Sequence, residues 1–150
     1  MNHWTFAARL GILLVTLAFA AAASAAEFVS VVKDGVNLRS TPDAAASNVL
    51  FQLPAGYPLQ VIERKGDWLN VSDYENDKGW IAASLVSKVP YVIVKAAKGN
   101  IRAEASTDSP QVGRVVREVI LKKIDQQGDW IKVSHSQLPS GWIHRQLVWP

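Results

Sequence analysis

The sequence contains no cysteine. This absence excludes disulfide bonds, thiolate metal sites, a cysteine nucleophile and a lipid-modified cysteine anchor. Histidine is scarce, and neither a His-Glu-x-x-His motif nor a Gly-x-Ser-x-Gly motif occurs. His135 and His144 could approach each other as a metal pair, but no third ligand accompanies them. We therefore expect no catalytic residue, no metal and no cofactor, and predict that the protein is not an enzyme.

The chain also lacks a strong charge of one sign. It has 16 Lys and Arg against 13 Asp and Glu, a formal net charge of +3. A nucleic-acid-binding protein is expected to show a clustered basic surface, so we predict no nucleic-acid partner. The charge is divided unevenly, with net −2 over residues 27–89 and net +4 over residues 90–150. This difference is compatible with a solvated surface, with attraction between the two segments, or with a second segment that faces an anionic envelope polymer or headgroup surface.

Long apolar runs are absent beyond residue 30. The one long run, Leu10–Ala26, follows a short segment with one arginine and no acidic residue, and it ends in the small residues Ala23-Ser24-Ala25. This order is typical of a signal peptide, predicted over residues 1–26 with cleavage after Ala25 or Ala26. The run is short of the ~20 strongly apolar residues that a spanning helix needs. We expect a periplasmic or secreted protein with no stable membrane insertion after cleavage.

The remaining chain is an internal repeat of one sequence unit. Asn37-Leu38-Arg39 returns as Asn100-Ile101-Arg102 at an offset of 63 residues, and Asn48-Val49 matches Gln111-Val112 at the same offset. Two later motifs return at an offset of 62: Gly66-Asp67-Trp68 as Gly128-Asp129-Trp130, and Gly79-Trp80-Ile81 as Gly141-Trp142-Ile143. The sequence therefore predicts two domains, residues 27–89 and 90–150. The change of offset predicts that one residue, most simply Gly56, is missing from the second copy.

Each copy consists of short apolar runs rich in Val, Ile and Leu, separated by Gly, Asp, Asn, Ser and Pro, which is the pattern of β-strands. No window predicts a helix. About 60 residues are too few for a sandwich of usual size, so we predict an all-β chain of two tandem small barrels with about five short strands each. In the first copy, strands are predicted at Phe28–Lys33, Val36–Arg39, Val49–Leu53, Leu59–Arg64, Trp68–Ser72, Gly79–Ala82 and Leu85–Ser87.

The tryptophan strand shows a clear alternation. Side chains on a strand point to alternate faces, so Leu69 and Val71 should face the core while Trp68, Asn70 and Ser72 lie on the opposite face. The second copy repeats this pattern, with Ile131 and Val133 on one face and Trp130, Lys132 and Ser134 on the other. Each tryptophan could cover its own hydrophobic core or receive a ligand.

These motifs resemble the bacterial SH3-like (SH3b) domain family, in two tandem copies that cover nearly all the mature chain. The motif residues that we interpret as structural are Asn37, Arg39, Gly66, Trp80, Asn100, Arg102, Gly128 and Trp142. The resemblance implies a binding module of envelope proteins and cell-wall hydrolases. Eukaryotic relatives that bind proline-rich peptides use a Pro and a Tyr where this chain has Ala82 and Leu85, or His144 and Leu147, so recognition of a PxxP peptide is not expected.

Two functions remain open at this point. The first is recognition of peptidoglycan or other cell-wall material, either a peptide or a glycan, with Trp68, Asn70, Tyr74, Trp130 and Lys132 as candidate ligand-binding residues. The second is a periplasmic protein–protein adaptor whose partner is an envelope protein. Such a partner would pack on the same tryptophan faces or on the apolar strand Tyr91–Lys95.

Overall fold

The structure is a computed structural model that describes residues 24–150. The predicted signal peptide, residues 1–26, lies outside the described residues except for its last three. Among the described residues, no helix is both long enough and apolar enough to cross a membrane.

Within residues 24–150, fourteen strands form two antiparallel sheets of seven. The first sheet contains β1 (Phe28–Val31), β2 (Val36–Arg39), β3 (Val49–Leu53), β4 (Pro58–Lys65), β5 (Trp68–Ser72), β6 (Lys78–Ala82) and β7 (Val86–Ser87). The second contains β8 (Tyr91–Val94), β9 (Lys98–Arg102), β10 (Gln111–Val116), β11 (Ile120–Gln127), β12 (Trp130–His135), β13 (Leu138–His144) and β14 (Val148–Trp149). Short 3-10 helices occupy Ala46–Asn48, Ala83–Leu85 and Arg145–Leu147.

Both sheets have the same strand order. It is β3-β2-β6-β5-β4-β1-β7 in the first sheet and β10-β9-β13-β12-β11-β8-β14 in the second. The prediction of an all-β chain with two tandem units is confirmed. Each sheet has seven strands rather than about five. In the first sheet, these include the short closing strand β7, which pairs with β1 on the side opposite β4. The strands predicted one by one in the first copy all occur, with ends shifted by a few residues.

Two separate hydrophobic cores follow the predicted alternation. Leu69 and Val71 are buried in the first core, and Ile131 and Val133 are buried at the equivalent positions of the second. Complete burial of such a side chain contributes roughly 1.5–3 kcal/mol. The polar face is less uniform than predicted, because Ser72 is also buried, where its hydroxyl contacts Asp73 and Asn76.

The Gly-Trp-Ile motif marks the closest approach of two strands. A Cβ atom at Gly79 would lie 2.7 Å from Leu38 Cγ, and one at Gly141 would lie 2.5 Å from the Arg102 carbonyl oxygen. Both glycines are buried. Only a residue without a side chain lets β6 and β13 pack this tightly on β2 and β9.

The Gly-Asp-Trp motif forms the hairpin between β4 and β5, and again between β11 and β12. Gly66 and Gly128 both have φ of +56° and open each two-residue loop. The aspartate carbonyl that follows each glycine accepts a backbone hydrogen bond from the 3-10 segment, from Ala83 in the first copy and Arg145 in the second. The motif therefore fixes this segment against the tryptophan strand.

The predicted position of the length difference between the copies is wrong. Gly56 has a counterpart, Glu118, in the equivalent turn, and the two residues have φ of +78° and +72°. The offset is already 62 at the start of β3, since Val49 pairs with Arg39 as Gln111 pairs with Arg102. The extra residue of the first copy lies instead in the loop between β2 and β3. The matches of residue type suggested the other position, but the backbone pairing determines it.

The two sheets contact each other directly. Gly56 lies against the ring of Tyr91, and the rings of Phe28 and Trp149 meet edge to face at 5.5 Å between centroids. The Tyr74 hydroxyl donates a 2.9 Å hydrogen bond to Glu118. The expectation that Tyr91–Lys95 offers an apolar surface to a partner is wrong. Its residues 92–94 are all buried, because one face joins the second core and the other is covered.

Candidate functional site

A groove beside the tryptophan strand occurs at the same place in both copies. The first Trp groove has a volume of about 340 Å³, and the second Trp groove about 360 Å³. All but one of the lining residues of the first groove have a counterpart in the second, and the exception is Lys33. The pairs are Gly35 with Lys98, Val36 with Gly99, Asn37 with Asn100, Arg39 with Arg102, Ala44 with Thr107, Trp68 with Trp130, Ala82 with His144, and Leu85 with Leu147. Each groove thus presents an indole, an amide and a guanidinium on a partly apolar surface.

Arg39 joins the first groove to the loop between β2 and β3. Its Nη1 atom donates to the Ala45 carbonyl at 2.7 Å and to the Asn48 side-chain oxygen at 2.9 Å. A guanidinium has five N–H donors, so these two bonds leave donors at the groove wall. One residue therefore orders the loop and contributes polar groups to the groove.

Asp43 completes the same loop. Its carboxylate accepts hydrogen bonds from the Ala45 backbone at 2.9 Å, the Asn48 amide at 2.8 Å and the Thr41 hydroxyl at 2.7 Å. The bonds from Ala45 and Thr41 hold the pKa of Asp43 below its ordinary value. The order of this groove wall therefore depends on an ionised carboxylate.

The equivalent loop of the second copy, between β9 and β10, is held in place by different residues. Arg102 Nη1 donates to the Ser109 carbonyl at 2.9 Å, and the Ser109 hydroxyl accepts from the Glu104 backbone at 2.8 Å. Ser109 thus supplies the hydrogen-bond acceptors that Asp43 and Asn48 supply in the first copy. In these bonds of the second loop, the acceptors are a carbonyl and a hydroxyl rather than a carboxylate.

The first groove contains an unpaired acceptor. Asn37 Oδ1 is buried and has no hydrogen-bond partner among the described residues. Such an orphaned acceptor costs roughly 1–3 kcal/mol until it is satisfied. The same is true of Asn70 Oδ1, which lies outside both grooves, so this buried oxygen does not define the chemistry of a ligand.

The second groove replaces Ala82 with an aromatic ring. The rings of Trp130 and His144 meet edge to face, with centroids 5.2 Å apart. His144 Nδ1 accepts a backbone hydrogen bond from Gln146 at 3.3 Å, which leaves Nε2 as the remaining nitrogen of the ring. The second groove is therefore more aromatic than the first.

The predicted ligand-binding residues do not all lie together. Trp68 and Trp130 line the two grooves, whereas Asn70 and Lys132 lie further along the strands. Lys132 Nζ sits 6.0 Å from the ring centroid of Trp142, and the Asn70 side-chain oxygen is buried without a partner among the described residues.

Tyr74 lies at the contact between the sheets. Desolvation and hydrogen bonds to Glu75 and Glu118 raise the pKa of Tyr74. Its neighbour Tyr57 donates to Asp73 at 3.1 Å, and burial together with that carboxylate raises the pKa of Tyr57. Both phenols are therefore uncharged structural donors.

Several groove residues were not predicted as ligand contacts. They are Lys33, Ala44, Ala82 and Leu85 in the first groove and Lys98, Thr107, His144 and Leu147 in the second. We interpreted Asn37, Arg39, Asn100 and Arg102 as structural residues, yet all four also line the grooves. The internal repeat is the signal that could have identified these four residues as groove residues. Asn37 and Arg39 return in the second copy as Asn100 and Arg102, just as Trp68 returns as Trp130.

The comparison with family models places each copy in one family. One model described as "Bacterial SH3 domain" matches residues 32–88, and a second with the same description matches residues 96–148.

Comparison with known proteins gives more distant likenesses. The chain is 21% identical over 126 residues to "Putative N-acetylmuramoyl-L-alanine amidase YrvJ" of Bacillus subtilis (strain 168), covering 77% of this chain and 24% of that protein. Among solved structures, NlpC2 of Trichomonas vaginalis gives a TM-score of 0.39 at 11% identity, over 84% of this chain and 48% of that one. An NlpC/P60 family protein of Bacillus cereus ATCC 10987 gives 0.40 at 13% identity, over 82% and 56%. The chain thus spans about a quarter of the curated relative and about half of each structure.

Proposed function

The chain carries two tandem bacterial SH3 domains, and from this premise we propose that it is an exported binding protein of the cell envelope, without catalytic activity, that recognises peptidoglycan. The observation that carries the proposal is the repeated groove, in which Trp68 and Trp130 face equivalent amide and guanidinium groups. The name of the Bacillus relative, an amidase, supports a cell-wall ligand.

The chemistry of the grooves fits such a ligand. An indole offers a broad apolar face on which a sugar ring or a peptide can lie, and nearby polar groups fix its orientation. Asn37 and Arg39 in the first groove, and Asn100 and Arg102 in the second, are polar groups of this kind. Two equivalent grooves in one chain also suit a repetitive polymer, because the second contact becomes intramolecular after the first.

Co-sedimentation with purified insoluble peptidoglycan tests this proposal. The chain from Glu27 onward should bind saturably, and Trp68→Ala and Trp130→Ala should each weaken binding about tenfold, equivalent to about 1.4 kcal/mol. Phe51→Ala is the matched control, because Phe51 is an aromatic residue 51% exposed outside both grooves. Circular dichroism must show that each variant is folded.

Three results would overturn parts of this proposal. Absence of binding at low and at high salt would reject the wall ligand. Equal binding by the tryptophan variants and wild type would reject the grooves. Release of soluble fragments from peptidoglycan by the purified protein would reject the non-catalytic assignment.

The alternative, a periplasmic protein–protein adaptor, has one observation in its favour. Strand β3 lies at the edge of the first sheet, and Val49, Leu50 and Phe51 on it are exposed. An exposed edge strand can pair with a strand of another protein. Such a contact should persist in salt, and Phe51→Ala would then reduce capture of a partner that the tryptophan variants still bind.

A further inference from the structure

His144 makes the second Trp groove chemically different from the first. It lies at the end of β13, where the first copy has Ala82. Each of these residues precedes a 3-10 segment. Ala82 gives its segment no side-chain hydrogen bond, whereas His144 Nδ1 accepts one from the Gln146 backbone N–H at 3.3 Å. Because the ring of His144 also meets Trp130 edge to face, one side chain joins the 3-10 segment to the tryptophan of the groove.

The hydrogen bond from Gln146 exists only while His144 Nδ1 keeps its lone pair. A neutral imidazole accepts at one nitrogen and donates at the other, whereas an imidazolium donates at both. A second proton on the ring would set an N–H donor at Nδ1 against the N–H donor of Gln146, and the bond would be lost. Imidazole is the side chain that changes charge most readily between about pH 5 and about pH 8. Acidification through this range is therefore the change that this contact can detect.

The charged groups around the ring of His144 give an added proton no partner. The other charged residues of the groove are Lys98 and Arg102, and its lining, among the residues that the structure describes, includes no acidic side chain. Asp129 lies in the neighbouring hairpin, but its carboxylate is 2.7 Å from Arg145 Nε and so already has a cation. A protonated ring would lie beside positive charges after losing its hydrogen bond, and both effects favour its rotation out of the groove wall.

We propose that His144 is a positioning residue that makes the second Trp groove sensitive to pH, while the first groove, with Ala82 at that position, is not. At neutral pH the hydrogen bond from Gln146 holds the imidazole against Trp130. Protonation releases the ring, and the groove loses one of its two aromatic side chains. The effect on ligand binding rests on the proposed function, whereas the movement of the ring does not.

Nuclear magnetic resonance of the chain from Glu27 onward tests the movement of the ring without a ligand. The sample is titrated from about pH 8 to about pH 5, the range in which imidazoles commonly take up a proton. The indole N–H signal of Trp130 and the backbone N–H signal of Gln146 should shift in step with the protonation of His144. The indole N–H signal of Trp68 should not follow it, because an alanine takes the place of the histidine in the first groove.

His135 provides the matched control. Its Nδ1 also accepts a hydrogen bond from the backbone N–H two residues later, that of Gln137, at 3.0 Å. It ends β12 at the hairpin to β13, away from the residues that line the second groove. His144→Ala, which gives the second groove the residue of the first, should abolish the shift at Trp130. His135→Ala should leave that shift unchanged.

Binding is then tested with one groove at a time. Trp68→Ala leaves the second groove intact and Trp130→Ala leaves the first, and each protein is sedimented with peptidoglycan at about pH 7.5 and about pH 5.5. The Trp68→Ala protein should bind about threefold more weakly at the lower pH, a change comparable with the loss of one hydrogen bond. The Trp130→Ala protein should bind equally at both. Addition of His144→Ala to Trp68→Ala should abolish the dependence on pH, and addition of His135→Ala should not.

The proposal is wrong if the signals of Trp130 and Gln146 do not follow the protonation of His144, if both single-groove proteins depend on pH alike, or if the dependence survives His144→Ala. If neither single-groove protein nor wild type binds peptidoglycan at either pH, the proposed function fails. The resonance shifts then decide by themselves whether the ring moves.

Discussion

Gly56 is the position where one methyl group should reveal how firmly the two domains are joined. A Cβ atom there would lie 2.8 Å from Tyr91 Cδ1, 2.9 Å from Tyr91 Cε1 and 3.1 Å from Ile120 Cγ2, all on the other domain. The residue also has φ of +78°. Gly56→Ala therefore combines backbone strain with a clash across the interface.

Gly35 separates these two effects. Its φ is +76°, and a Cβ atom there would have no neighbour within 4 Å. Gly35→Ala should therefore carry only the cost of an alanine in the left-handed region, roughly 1–2 kcal/mol. Overpacking typically costs about 1–3 kcal/mol, so Gly56→Ala should lower the free energy of unfolding by that amount more than Gly35→Ala does.

Urea unfolding followed by circular dichroism measures both variants. A Tyr91→Ala background provides a second comparison, because removal of the ring should bring the cost of Gly56→Ala close to that of Gly35→Ala and leave only the 3.1 Å approach to Ile120 Cγ2. The reasoning fails if the two glycine variants are equally destabilised, or if removal of the Tyr91 ring leaves the cost of Gly56→Ala unchanged.

Two further predictions concern the loops. Glu118 occupies the left-handed region at the turn where the first copy has glycine, so Glu118→Gly should raise the free energy of unfolding by about 1 kcal/mol in urea denaturation. Tyr74→Phe, which removes the hydroxyl that bonds to Glu118 and leaves the backbone unchanged, should change it less. A destabilised glycine variant would contradict this. The pKa of Asp43 is lowered on folding, so its stabilisation is complete above about pH 4 and disappears as the pH falls through the folded pKa. Asp43→Asn should therefore differ most from wild type near neutral pH and converge with it as the pH falls through the folded pKa of Asp43. A difference in urea midpoint that is independent of pH would refute this.

The sequence predicted the strands because their signals are local. Alternation identified Leu69 and Val71 as core residues, and glycines marked the turns. The grouping of the site was harder to predict. Alternation states which face of a strand a side chain occupies, but not which residues the curvature of the sheet brings beside it. For that reason Asn70 and Lys132 were grouped with the tryptophans, while the contribution of Ala44 and Thr107 to the grooves was missed.

The position of the length difference was hidden for a related reason. Asn48-Val49 and Gln111-Val112 look alike, yet strand pairing sets Val49 opposite Arg39 and Gln111 opposite Arg102. Similarity of side chains and equivalence of backbone position are different properties in a repeat. Only the equivalence of backbone position is fixed by hydrogen bonds between strands.

The loop between β2 and β3 holds both the extra residue and a side chain of the groove, Ala44, whose counterpart is Thr107. After a gene duplication, divergence in such a loop alters what a copy recognises while the buried residues that fold it are kept. One copy can retain the ancestral ligand while the other explores a new one. In this loop the two copies differ both in length and in the residue that lines the groove, so the difference bears directly on what each copy can recognise.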